Sequence, residues 1–282
     1  MTAKPLLYSY ETYQCRSGQQ VHLAFSSLQA GNLGHHLGQD AQEVLDHRQG
    51  LEEELLGART AQGFAYLNQV HGRVVHHFTQ DLQPPAASCR TLGQAGLDQV
   101  PEADAALSKG QPLAVMVADC IPLLFLGQGP QLDTPLLGVA HAGRRGLLDG
   151  VIEAEVEALL AQGAQSLTVW IGPSICGSCY EVPEDLYQES VNQLPSLAAR
   201  TSWGSPALDL PAGARAILES LPQVEEVRSQ LAGCTYEDEN LYSHRAHLNL
   251  GRPAGRIAGL IWLDPEDQRA DKREQTHQGE EE

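Results

Sequence analysis

Two histidines and a cysteine, His71, Cys120 and His141, each close a short apolar run and open a turn marked by Gly or Pro. The segments read Asn68-Gln69-Val70-His71-Gly72, Val117-Ala118-Asp119-Cys120-Ile121-Pro122 and Val139-Ala140-His141-Ala142-Gly143-Arg144-Arg145-Gly146. A strand end holds a side chain firmly while leaving it accessible, which suits a reactive centre. Two imidazoles and one thiolate with an open fourth position form the donor set of a catalytic zinc. Such a metal lowers the pKa of bound water or polarises a substrate oxygen. Without metal, the same trio is a thiol nucleophile with its histidine base. The bland reading is three unrelated core residues, since cysteine often serves only as a small apolar filler.

Other reactive residue types compete with this trio. Cys176-x-x-Cys179 has no second C-x-x-C to complete a four-cysteine site, and it follows Gly172-Pro173 rather than a thioredoxin-like strand-to-helix junction. It reads as a turn carrying a buried thiol. His35-His36 and His76-His77 offer one ligand per face, because neighbours on a strand point to opposite sides. They read as surface or loop histidines. Arg144 and Arg145 precede an expected helix start at Leu147, where free N–H groups and guanidinium favour an anion. Arg245 and the helical Arg48 are further candidate anion clamps. Asp119, next to Cys120, is either an outer-shell orienting group or a turn cap.

The elements that must position these residues follow from hydrophobic patterning. Residues 21–25, 113–118, 136–140, 166–171 and 224–231 are predicted strands, and 256–263 is the last apolar run. Asp40 reads as an N-cap, with Glu43 completing a capping box and Gly57 ending a helix over 41–56. Val44, Leu51 and Leu55 form its inner side. A second helix is expected over 147–162 and a third over 211–221, while 79–101 reads as a surface loop and 187–208 lacks a clear period. The expectation is a single α+β domain over 1–263, with an acidic, disordered tail over 264–282.

Composition narrows the function further. The 282 residues carry a net charge of −18, which disfavours a phosphate backbone or an anionic membrane surface as partner. A local arginine cluster still leaves a small anionic substrate open. The first residues lack the apolar core of a secretory signal, and no apolar stretch approaches the roughly 20 residues of a membrane span. Six cysteines are too sparse for a disulfide scaffold. These features point to a cytoplasmic protein.

The three lead motifs, with Gly172-Pro173-Ser174-Ile175, Cys179-Tyr180-Glu181-Val182, Cys234-Thr235-Tyr236, Ser243-His244-Arg245, Gly255-Arg256, Asn32-Leu33-Gly34 and the His47-Arg48 helix, resemble the YfiH/YlmD family. That family is also called the laccase-domain or multicopper polyphenol oxidase family. The resemblance covers roughly residues 20–263. It implies a single mixed α/β domain of layered β-sheets flanked by helices, and a zinc site made of His71, Cys120 and His141. It implies phosphorolysis of adenosine, inosine, guanosine or S-methyl-5′-thioadenosine, accompanied by adenosine deamination. The implied substrates are a purine nucleoside and phosphate. Asn32, Arg48 and Arg245 are the candidate substrate- or phosphate-binding residues, and a monomer or homodimer is expected. The older family label implies copper and polyphenol oxidation, which fits poorly, because no second ordered set of histidines accompanies His71 and His141. A metal-free cysteine hydrolase or deamidase using Cys120 and His141 is the rival enzyme. The chain departs from the family pattern at Arg144, Ser178, His244 and Ala246.

Overall fold

Leu113-Ala-Val-Met-Val117 and Ile257-Ala-Gly-Leu-Ile-Trp-Leu263 are apolar at every position, so neither strand can show a face to water. A computed structural model, which describes residues 5–35, 40–57, 63–78 and 100–264, buries both completely. These strands, β5 (Leu113–Val117) and β12 (Ile257–Leu263), join β1 (Leu7–Gln14) and β2 (Gln20–Ser26) in an antiparallel sheet of order β1-β2-β12-β5.

A six-stranded sheet lies against it. Its members are β3 (Val75–Phe78), β4 (Ala105–Ser108), β6 (Ile121–Gln128), β7 (Leu136–Ala142), β8 (Ser166–Ile171) and β11 (Val224–Arg228), in the order β11-β8-β6-β7-β4-β3. The outer pairs β11·β8 and β3·β4 are parallel, and the central pairs are antiparallel. β9 (Ala198–Arg200) and β10 (Pro206–Leu208) form a separate ribbon.

Alternation along each strand sorts side chains between layers. Val115, Leu124, Val139, Trp170 and Ile261 fill the space between the two sheets. Ala114, Met116, Leu260 and Trp262 face outward under α1 (Ala41–Leu56), whose Leu45, Leu51 and Leu56 cover them. Leu123, Phe125, Ala140 and Val169 face the other way, beneath α3 (Val151–Ala161) and α5 (Leu210–Ser220). The result is a four-layer stack of helix, sheet, sheet and helices. Truncating a fully buried member such as Leu51 or Phe125 to alanine should cost about 2–5 kcal/mol.

α1 has the expected limits. The Asp40 carboxylate accepts the Gln42 N–H at 2.9 Å, and Gly57 closes the helix with φ 64°. The helix expected over 147–162 is instead two. α2 (Arg144–Asp149) and α3 are separated by Gly150 in the left-handed region, φ 90°. Arg144 and Arg145 therefore open α2 rather than precede it. The unpatterned stretch after Tyr187 contains most of α4 (Glu184–Gln193), whose single buried residue is Ser190, so it shows little period. β1, β6 and α6 (His244–Leu250) also lie where no element was expected. Most of the 79–101 loop, His36 and the acidic tail beyond Asp264 fall outside the described residues.

Candidate active site

His71, Cys120 and His141 converge beside the start of β6 and the end of β7. One donor atom from each lies within 4.8 Å of the other two. Cys120 Sγ is 3.8 Å from His71 Nε2, and the two imidazoles meet edge to face with centroids 4.7 Å apart. Tetrahedral zinc with ligands at about 2.0–2.3 Å puts neighbouring donors about 3–4 Å apart, so the trio fits a three-ligand site with one position open.

Each residue is held by a different device. His141 sits inside β7, one residue before its end, on the side of Val139 that faces the other sheet. His71 lies on a loop in the left-handed region, φ 63°, and Asp119, just before Cys120, has φ 89°. Such angles are uncommon for non-glycine residues, although Asp and His adopt them more readily than most, and local contacts hold both here.

The surroundings of His71 are Asp104. This fully buried carboxylate accepts the N–H groups of Val70, His71 and Gly72 at 3.1, 2.9 and 2.6 Å. Its Oδ1 also receives His141 Nδ1 at 2.8 Å. A carboxylate only accepts, so Nδ1 carries the proton and Nε2 is the nitrogen left for a ligand.

Asp119 shapes the other turn. Its carboxylate accepts Thr235 Oγ1 and the Arg245 N–H, both at 2.7 Å, and its carbonyl accepts the Ile175 N–H at 3.0 Å. It is a brace for three loops, closer to the cap reading than to a ligand-orienting one. Gly143 completes the packing. A Cβ there would stand 2.9 Å from His71 Cδ2 and 3.0 Å from Cys120 Sγ, which only glycine avoids.

The electrostatics couple the trio. Burial pushes the Cys120 thiol up, but the charge of His141 and hydrogen bonds from His141 and His71 outweigh it and bring the pKa down to about 6. Burial pushes His141 down, yet the Cys120 thiolate and Asp104 carry it up to about 9. Asp104 lies below the ordinary carboxylate range: burial raises it, and the bonds from His141, Gly72 and His71 lower it by more. A thiolate, an imidazolium and a carboxylate thus stand in a row in the metal-free protein.

The trio borders a cavity of about 410 Å³, within the usual range for small-molecule sites. Arg144, Arg145, Arg245 and Arg256 line it, with Tyr180. These four arginines gather cationic side chains at one cavity of a chain with net charge −18. Arg245 donates to the Glu181 carbonyl at 2.8 Å, and its guanidinium carbon lies 5.3 Å from the Tyr180 ring centroid.

Arg48 and Asn32 do not line this cavity. Arg48 is buried, directs Nε and Nη2 to the Leu33 carbonyl at 2.9 and 2.7 Å, and lies 3.9 Å from the Tyr66 ring centroid. Asn32 holds the Gly34 and Arg256 N–H groups through Oδ1. Both stand behind the cavity wall, Arg48 touching Met116 and Asn32 the backbone of Arg256. Asp104 and Gly143 were not singled out as site residues from sequence. The only signal for Asp104 is an acidic residue at the head of an apolar stretch, Ala103-Asp104-Ala105-Ala106-Leu107.

A layered α/β fold that gathers two imidazoles and a thiol beside an arginine-lined cavity has the architecture of an enzyme. A family model described as multi-copper polyphenol oxidoreductase laccase matches residues 10–264, and the chain belongs to that family, the YfiH/YlmD family. A purine nucleoside phosphorylase of Streptomyces griseus is 36% identical over 261 residues, covering 86% of this chain and 95% of the relative. Another from Streptomyces coelicolor is 37% identical over 241 residues, covering 83% and 88%. The crystal structure of YlmD from Geobacillus stearothermophilus superposes with a TM-score of 0.68 at 26% identity, covering 86% of this chain and 91% of that one.

Proposed function

We propose that this protein is a purine nucleoside phosphorylase with an accompanying adenosine deaminase activity, and that His71, Cys120 and His141 hold a zinc ion. The observation that carries the reading is the trio standing at a cavity ringed by four arginines. Relatives named purine nucleoside phosphorylase at 36–37% identity support the choice of substrates. In phosphorolysis a phosphate oxygen forms a bond to C1′ of the ribose as the C1′–N9 bond breaks. The electron pair leaves with the purine, which takes a proton, and ribose 1-phosphate remains.

The chain's own groups divide this work. Guanidinium groups bind phosphate through charge-assisted bonds and hold it in line. Arg245 is the best placed of them, because its bond to the Glu181 carbonyl and the Tyr180 ring fix its plane. Asp104 keeps His141 in one tautomer and orientation. A zinc ion in the trio would supply Lewis acidity toward a substrate oxygen. Among the described residues, His71 and His141 are the only histidines in a group that could hold a metal, which does not fit a multi-copper oxidase. Copper remains the alternative occupant under the family's description. No helix among the described residues is long and apolar enough to cross a membrane, in keeping with a cytoplasmic enzyme of small metabolites.

The deciding experiment is incubation of protein purified without chelation, with adenosine, with and without phosphate. Ribose 1-phosphate formed only with phosphate supports phosphorolysis, and inosine formed without phosphate supports deamination. No purine turnover in either case, with or without added zinc, overturns the reading. A cysteine hydrolase is the second reading, favoured by the row of Cys120, His141 and Asp104 and its charge pattern. Covalent capture of Cys120 by a substrate-like electrophile in metal-free protein would favour it.

A further inference from the structure

The Cys176-x-x-Cys179 pair, read from sequence as a turn with a buried thiol, has partners that only the fold supplies. Cys234 and Glu237 come from the segment after β11, and the donor atoms of all four residues lie within 4.8 Å of one another. We propose that Cys176, Cys179, Cys234 and Glu237 form a second metal site, closed and structural, for a divalent ion of the zinc class.

The geometry matches such a site in detail. Cys179 Sγ lies 3.5 Å from Glu237 Oε1. Zinc–sulfur and zinc–oxygen bonds of about 2.3 and 2.1 Å at the tetrahedral angle separate S and O by about 3.6 Å. The Cys176 carbonyl accepts the N–H groups of both Cys179 and Tyr180 at 3.0 Å, a tight turn that brings the two thiols to the same side. The Cys176 N–H points at Cys234 Sγ at 3.5 Å, the outer-shell bond that a metal thiolate accepts. The two loops are already clamped before any ion binds: Ser174 N–H donates to the Gly233 carbonyl at 3.0 Å, and Thr235 N–H to the Ser174 carbonyl at 3.1 Å.

Donor type selects the ion. Three thiolates and one carboxylate suit zinc, whereas magnesium and calcium need oxygen ligands. Binding displaces the thiol protons to solvent and involves no change of oxidation state. Four protein ligands leave no open position, so this ion would brace rather than react. Its place tells what it braces. Ile175 and Tyr180, on the first loop, line the catalytic cavity, and Thr235, on the second, holds the Asp119 carboxylate at the turn presenting Cys120.

Cobalt(II) tests the site in the full-length, reduced, metal-stripped chain. The Cys120→Ser variant silences thiolate ligation at the first site. Its cobalt form should keep the intense near-ultraviolet thiolate-to-cobalt absorption; further change of Cys176 or Cys234 to Ser should weaken it, and change of all three cysteines to Ser should abolish it. Glu237 is exposed, so Glu237→Gln leaves folding intact and should weaken cobalt binding by about tenfold. A Cys120→Ser protein without thiolate-to-cobalt absorption overturns the proposal. So does a Cys176–Cys179 disulfide found by mass spectrometry in protein isolated under reducing conditions. Unchanged affinity in Glu237→Gln overturns the four-ligand site.

Discussion

His141 Nδ1 and Asp104 Oδ1 stand 2.8 Å apart, and the same buried carboxylate holds the backbone of His71. One acidic side chain therefore positions two of the three residues of the candidate metal site, one through its ring and one through its main chain. Asp104→Asn keeps the shape and removes the charge. Zinc affinity should fall about 10–100-fold, measured by competition with a chromophoric chelator. Unchanged affinity would show that Asp104 serves the loop alone.

The thiol of Cys120 should titrate early in the metal-free protein. With its pKa brought from 9.0 to about 6, it is a thiolate at neutral pH, where an ordinary cysteine is mostly protonated. Alkylation of Cys120, followed by peptide mass, should rise with an inflection near pH 6. In Asp104→Asn the loss of the carboxylate lowers the His141 pKa, weakens the ion pair, and moves the inflection to higher pH. Cys179, pushed upward by burial and by neighbouring thiols, should stay unreactive throughout that range.

Gly143→Ala places a methyl group 2.9 Å from His71 and 3.0 Å from Cys120 Sγ. The metal trio should open while the core stays packed. The expected result is a zinc affinity reduced by at least about tenfold, the size of outer-shell effects, with a melting temperature within a few degrees of wild type. A full-strength site in this variant would mean that the α2 turn shifts freely.

Arg245→Ala should raise KM for phosphate more than KM for nucleoside. A charge-assisted bond contributes about 1.5–3 kcal/mol, or roughly 10–150-fold. Initial rates against each substrate separate the two effects. An equal rise in both constants would place Arg245 in general cavity structure rather than at the anion.

Arg48→Ala should act on stability. It strips the Leu33 carbonyl of two donors and empties space under Tyr66, at a cost of about 2–4 kcal/mol in chemical denaturation. KM for phosphate in the folded fraction should hardly change. A selective rise in that constant would restore Arg48 to the anion site.

Local patterning determined a good deal by itself. The apolar runs at 113–118 and 256–263 marked buried segments that the structure shows as β5 and β12, and Asp40 with Gly57 marked the ends of a helix, because these signals act within one element. His71, Cys120 and His141 stood out because each breaks an apolar run at a turn. β1 and α4 escaped notice because they are half-exposed and mix residue types, so no period emerges. What only the tertiary structure decided is which distant residues share a site. Asp104, 33 residues from His71 and 37 from His141, reaches both because β4 pairs with β7. Cys234 joins a Cys-x-x-Cys pair 58 residues upstream of it because β11 runs parallel beside β8, bringing the loops that follow them together. Arg48 faces the protein interior because the α1 stripe turns it under Tyr66. Sequence shows which residue types can do chemistry, but strand pairing sets the distances between them.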